Sequence, residues 1–273
     1  MPYFEHRGFR HYFELEGQGP PLVWAHGLYM SSAKDDAFFG LFPALRKRFR
    51  LLTFDARGHG QSSHTTDPED YRFDALATDL MELLDHVEFT RALFMGGSMG
   101  AMTSLACASQ APERVRALFM LQPTCVGEDV NSVGRVARTL LKVIDRQGIE
   151  AAASLMTSVG PWEQMSQREP ERVAALRRSF ASQSVEAIRA CSAGVTMRPG
   201  FDAVRLEQLR QLNIPVMMLA DLSDPSHPLS SALQLEAVLP DATLVRAPEN
   251  FYFFSHCDEL LARALAFFDA APA

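Results

Sequence analysis

Arg91-Ala-Leu-Phe-Met-Gly-Gly-Ser-Met-Gly-Ala-Met-Thr103 is the stretch on which the reading of this chain turns. Ala92 to Met95 is an apolar run of the kind that forms a buried strand. It meets Gly96-Gly97-Ser98-Met99-Gly100, and small and apolar residues at helical spacing follow. Gly-x-Ser-x-Gly between a strand and a helix is a nucleophile elbow, a turn sharp enough to hold its serine in a strained backbone conformation. The flanking glycines remove Cβ atoms that would collide there. Such a bend presents the Ser98 hydroxyl at the strand's C-terminal end. The free N–H groups of the helix start beside it favour developing negative charge.

The rest of the chain supplies the setting. Leu22 to Ala25 reads as a short strand ending in His26-Gly27-Leu28. Phe38 to Arg48 reads as an amphipathic helix, and Arg50 to Phe54 as a buried strand ending in Asp55-Ala-Arg-Gly-His-Gly-Gln-Ser62. Phe9 to Leu15 alternates apolar and polar residues, which suits an edge strand. Tyr71 to Phe89 carries apolar positions at helical spacing. Val115 to Leu121, Pro215 to Ala220 and Ala242 to Ala247 read as further strands, with helices over Ser231 to Leu239 and Asp258 to Phe268. Strands alternating with helices predict an α/β fold, a mostly parallel, doubly wound sheet covered on both faces. The alternation stops between Thr124 and Leu212, where Val136 to Ile144, Ile149 to Met156, Arg172 to Ala193 and Val204 to Leu212 all read as helix. The expected organisation is a core of residues 1–123 and 213–273 with an inserted helical lid, 124–212.

Composition narrows the partners. The 273 residues are 47% hydrophobic and 22% charged, ordinary for a globular protein large enough to bury a sizeable core. A net charge of −7 argues against nucleic acid or an anionic membrane as partner. The opening MPYFEHRGFR lacks the apolar centre of a signal peptide, and no run approaches membrane-spanning length, so a cytoplasmic location is expected. Cys107, Cys125, Cys191 and Cys257 have neither metal-knuckle nor disulfide-framework spacing, which fits single thiols in a reducing compartment. No glycine-rich loop precedes a lysine, and no His/Asp cluster has ligand spacing, so neither metal nor cofactor is expected.

The order His26-Gly, Asp55-x-Arg-Gly-x-Gly-x-Ser62, Gly-x-Ser98-x-Gly, helical insert, then an acid after the next strand resembles the α/β-hydrolase superfamily. It is similar in particular to its small lidded esterases, enol-lactonases and carbon–carbon hydrolases. The resemblance covers nearly the whole chain. It implies Ser98 as nucleophile and the backbone N–H groups of Leu28 and Met99 as oxyanion hole. His26 then shapes its loop through a hydrogen bond, and His59 is structural. For the acid, Asp224-Pro-Ser-His-Pro228 fits the family's Asp-x-x-x-Pro pattern, whereas Asp221 lies too close to the strand end. After the strand Val115 to Leu121, where some members carry the acid, stands Gln122.

The base departs from the family pattern. Aligning Phe251 with the family's Phe, and Asp258-Glu259 with its acidic pair, puts Asn250 where the catalytic histidine belongs. An asparagine amide accepts no proton at neutral pH. Three explanations compete: a His-to-Asn change introduced to trap substrate, a base reaching in from His256, or a natural absence of the base. His227, on the acid's own loop, reads as a surface loop residue. Tyr29, Met30, Trp162 and Phe251 are candidates for lining an apolar pocket. The resulting expectation is a cofactor-free serine hydrolase of a small, mostly apolar ester, lactone or activated carbon–carbon bond, with a homodimer as one possible assembly. The alternatives are a ligand-binding protein, or a lyase or isomerase, on the same fold.

Overall fold

The computed structural model describes residues 3–159, 161–197, 199–222, 224–249 and 252–272, without the side chains of Pro161, Gln164 and Phe254. Eight strands form one sheet: β1 (Tyr3–His6), β2 (Phe9–Glu16), β3 (Pro21–Ala25), β4 (Arg50–Phe54), β5 (Ala92–Gly97), β6 (Val115–Leu121), β7 (Val216–Ala220) and β8 (Ala242–Arg246). Their order is β1-β2-β4-β3-β5-β6-β7-β8. β1 pairs antiparallel with β2 and β2 with β4, and all other pairs are parallel. The expected edge strand Phe9 to Leu15 is therefore one strand in from the edge. The edge is β1, joined to β2 by Arg7 and Gly8, whose positive φ of 50° and 83° suits a tight hairpin turn.

Because β3 to β8 are parallel, their C-terminal ends share one edge of the sheet. His26–Leu28, Ser98, Gln122 and the loop after Ala220 all leave from that edge, which is where parallel α/β sheets place ligands. The central strands are near-continuous apolar runs because both sheet faces are covered. One face packs Leu80, Leu84 and Met102 against Val23, Phe94 and Met120. The other packs Leu260, Ala264 and Phe268 against Trp24, Phe119 and Leu219.

Several helices differ from their sequence expectation. Phe38 to Arg48 is two pieces, Ser32–Phe39 and Phe42–Leu45, because Gly40 takes φ 65° and caps the first helix. Arg172 to Ala193 is likewise split into Pro170–Ala181 and Val185–Thr196, the second capped by Ser184, whose side chain accepts from Ala187 N. Between β6 and β7 the chain forms the helices Val130–Gln147, Ile149–Met156, Pro161–Arg168, Pro170–Ala181, Val185–Thr196 and Ala203–Gln208. A parallel bridge, Val126 to Phe201, ties the two ends of this insertion together. Among the described residues no helix is long and apolar enough to cross a membrane.

Candidate functional site

At the end of β5 the backbone turns through Ser98, which holds φ 51° and ψ −114°. A non-glycine residue there is strained and persists only where its surroundings enforce it. Ser98 N–H donates to Leu121 O of β6 at 2.8 Å, and Met102 N–H donates to Ser98 O at 3.1 Å, so strand and helix clamp the bend from both sides. The close approach rests on two glycines. A Cβ on Gly100 would lie 2.0 Å from Ala25 O, and one on Gly96 would lie 2.7 Å from the same oxygen.

The partner of the Ser98 hydroxyl is His227, with Nε2 2.9 Å from Oγ. The other ring nitrogen, Nδ1, donates to Asp224 Oδ2 at 2.7 Å. The expectation that His227 is a surface loop residue is therefore corrected: its ring lies part-buried between Ser98 and Asp224. Asp224 places it there. Its Oδ1 accepts from Ser226 N–H at 2.7 Å and His227 N–H at 3.3 Å, a side-chain-closed turn that brings the residue at i+3 back over the carboxylate. Thr124 Oγ1 braces the loop by donating to Ser226 O at 3.0 Å. Burial opposes the Asp224 charge, but the bonds from His227 and the two backbone N–H groups outweigh it and hold the carboxyl below its usual range. Nδ1 therefore carries the hydrogen and Nε2 is left free to accept from Ser98.

The other expected residues fall as follows. Asn250 and Phe251 lie outside the described residues. His256 is exposed at the start of the helix Cys257–Ala270, its ring stacked 3.9 Å from that of Tyr252 and its Nδ1 on Tyr252 O. Asp221 is buried, and its N–H donates to Gln122 Oε1 at 3.4 Å. Gly27 lies against the elbow, since a Cβ built there would be 3.8 Å from Ser98 Cβ. Among the described residues neither Leu28 N–H nor Met99 N–H has a protein acceptor. Tyr29 stands at φ 65° with its hydroxyl 2.7 Å from Ser192 Oγ. Its carbonyl accepts from Lys34 Nζ at 3.0 Å and from Gln183 Nε2 at 3.3 Å, fixing the loop that carries Leu28.

His26 is buried beneath that loop. Its Nδ1–H donates to Gly27 O at 2.8 Å, and its Nε2 accepts from Ala56 N–H at 2.9 Å. His59 packs 4.9 Å away, with Nδ1 on Arg57 O. Burial lowers the pKa of His26 to about 4, of His59 to about 3 and of His11 to about 4. Imidazoles with depressed folded-state pKa values lose their stabilisation as pH falls below 6.5, because the unfolded chain binds the proton first. From pH 7 to pH 5 each loses about 2 kcal/mol. Asp35, raised by burial to about 8, and Asp79, also raised by burial, run the other way. Replacing one of these imidazoles should therefore flatten the pH dependence: His59→Asn should lose less urea-unfolding stability between pH 7 and pH 5 than the parent, and an equal loss would contradict this assignment.

Ser98 and His227 open into a cavity of about 700 Å³. Its sheet-side wall includes Leu28, Tyr29 and Gln122, and the helical insertion contributes Val133, Leu140, Met156 and Trp162. Val136, Leu155 and Val159, 43%, 36% and 52% exposed, line its outer part. Trp162 also packs on Phe38 at a ring distance of 4.5 Å, so it both lines the cavity and joins the insertion to the helix Ser32–Phe39.

The chain has relatives among known proteins. The chain is 31% identical over 193 residues to 3-oxoadipate enol-lactonase 2 of Acinetobacter baylyi, a match covering 65% of this chain and 62% of that protein. It thus spans less than two thirds of the length of the first curated relatives it matches. It is 26% identical to a putative non-heme haloperoxidase of Mycobacterium phage D29, over 97% of this chain and 94% of that one. The enol-lactonase structure from Burkholderia xenovorans superposes with a TM-score of 0.82 at 20% identity, covering 98% of this chain and all of the other. The family model described as the alpha/beta hydrolase fold matches residues 20–258, from the start of β3 into the last helix. A match of that extent, on a sheet of this order with a serine at its central bend, makes the chain a member of the α/β-hydrolase fold family.

Proposed function

We propose that this protein is a cofactor-free serine hydrolase of small, mostly apolar carboxylic esters or lactones, with Ser98 as nucleophile, His227 as base and Asp224 as the group that orients it. The observation that carries this reading is the unbroken hydrogen-bonded chain from Ser98 Oγ through His227 to Asp224. Ser98 Oγ attacks the substrate carbonyl while Nε2 takes its proton, and Asp224 stabilises the resulting imidazolium. The N–H groups of Leu28 and Met99 receive the oxyanion; one such donor is typically worth about 3–4 kcal/mol in the transition state. The imidazolium protonates the leaving alkoxide, and a water deprotonated by the same nitrogen releases the acid. The helical insertion acts as a lid whose apolar side chains exclude bulk water and select the substrate.

The names of the enol-lactonase relatives support the hydrolytic class. In this reading the base has moved from the loop after β8 to the acid's own loop, so an asparagine at position 250 is no obstacle to turnover.

The test is active-site labelling. A fluorophosphonate should add one equivalent to the protein and none to Ser98→Ala, and the adduct should map to Ser98 by peptide mass. Butanoate esters should be hydrolysed by the parent and not by Ser98→Ala. Absence of both labelling and turnover would leave a ligand-binding protein on this fold.

A further inference from the structure

A second carboxyl group lines the cavity and has no part in the hydrolytic steps. Asp35 lies on the helix Ser32–Phe39, directly after the loop that carries Leu28, and is 3% exposed. Its Oδ2 accepts from Trp24 Nε1 at 2.7 Å. Among the described residues Oδ1 makes no hydrogen bond, yet it is not one of the polar atoms sealed away from solvent. Since the residue is otherwise enclosed and forms part of the cavity wall, the cavity is where that oxygen is reached. A buried carboxyl with half of its hydrogen-bonding capacity unused is unfavourable unless something entering the site supplies the partner.

The surroundings restrict what that partner is. Trp24, Phe39, Phe38 and Trp162 form a continuous aromatic set beside Asp35, with ring distances of 5.5, 4.9 and 4.5 Å along the series. The cationic side chain in the cavity wall, Arg135, is exposed and belongs to the helix Val130–Gln147. The nearest cation, Lys34, turns its Nζ to Tyr29 O and is not part of the cavity wall, so an anionic group beside Asp35 would lose its hydration without a direct counter-charge. Burial, opposed by the Trp24 bond and by Lys34, raises the Asp35 carboxyl to about 8, so near neutral pH it is largely protonated and both donates and accepts. That capacity matches a neutral oxygen group better than an ion.

We propose that Asp35 is a substrate-recognising residue that binds an uncharged oxygen function, a hydroxyl or carbonyl, on the part of the ester or lactone seated against Phe38, Phe39 and Trp162. The proposal rests on the reading of Ser98 as the reacting centre and deepens it by naming a feature of the substrate.

Two pairs of esters test it. Phenyl and 3-hydroxyphenyl butanoate differ by a hydroxyl on the alcohol half. Methyl 3-phenylpropanoate and its 3-hydroxyphenyl analogue differ by one on the acyl half. The readout is the ratio of kcat/KM within each pair, compared between the parent, Asp35→Leu and Asp35→Asn, which cancels the intrinsic reactivities. In at least one pair Asp35→Leu should lower the preference for the hydroxylated ester about tenfold or more, while Asp35→Asn keeps most of it. Equal ratios in all three proteins would overturn the proposal.

A binding measurement separates this outcome from failure of the hydrolase reading. Titration with toluene and with 3-methylphenol, followed by tryptophan fluorescence, should show tighter binding of 3-methylphenol to the parent, lost in Asp35→Leu. If no ester is hydrolysed, that titration alone decides the role of Asp35. A parent that binds toluene and 3-methylphenol equally overturns the proposal whether or not the variants fold.

Discussion

Replacing His227 by alanine is expected to lower kcat for ester hydrolysis by about three to six orders of magnitude. The ring bridges Ser98 Oγ at 2.9 Å and Asp224 Oδ2 at 2.7 Å, and its loss leaves the serine proton without an acceptor. The oxyanion donors and the binding site would remain, so a residual rate above that of water should persist. His256→Ala is the control, expected to stay within about twofold, because that ring is stacked on Tyr252 away from the elbow. Initial rates with a chromogenic butanoate, together with a thermal melt of each variant, read both. A collapse with His256→Ala and normal turnover with His227→Ala would reverse the assignment of the base.

Gly100→Ala should be the most damaging single-atom-scale change to the fold around the site. By helix propensity alone alanine would be favoured over glycine by about 1 kcal/mol at this helical position. The added Cβ, however, would stand 2.0 Å from Ala25 O, 2.4 Å from Ala25 C and 2.7 Å from His26 O. These are backbone atoms of β3 and of the loop that follows, so no side chain can swing aside. The helix Met99–Gln110 must lift away from the sheet, opening contacts that bury Met102 and Leu105. A loss of about 3 kcal/mol or more is expected, a fall in Tm of about 6–12 °C for a chain of this size. Ester hydrolysis should also fall where the protein is still folded, because the displaced atoms root the loop bearing Leu28. A Tm within about 2 °C of the parent would show that the helix and β3 have more room than these distances allow.

Much of the architecture was legible because it depends on local pattern. Alternating apolar strands and helices give a parallel sheet, and Ala92 to Gly100 marks its central strand and bend without reference to anything distant. Other boundaries moved for reasons equally local but weaker in signal. Gly40 ends a helix that periodicity alone would run on to Arg48, and the hairpin at Arg7-Gly8 creates an edge strand from a segment only four residues long.

The site divides along the same line. Sequence by itself pointed to Ser98, whose strained turn needs its own flanking glycines, and, through the Asp-x-x-x-Pro pattern of the family it resembles, to Asp224 as the proposed acid. It could not assign His227, because a family register points to the loop after β8, and Asp224-Pro-Ser-His-Pro228 carries the same letters whether its histidine faces solvent or substrate. The one available signal was the spacing: a turn closed by an aspartate side chain returns the residue at i+3 to that carboxylate. Which way the returned ring then faces depends on the end of β5 lying beside the loop after β7. That adjacency is made by the strand order, β5 to β6 to β7, in which residues far apart in the chain are neighbours in space. Only the tertiary structure decides it, since the distance from Nε2 to Oγ is set by the packing of three strands and by no property of the segment itself.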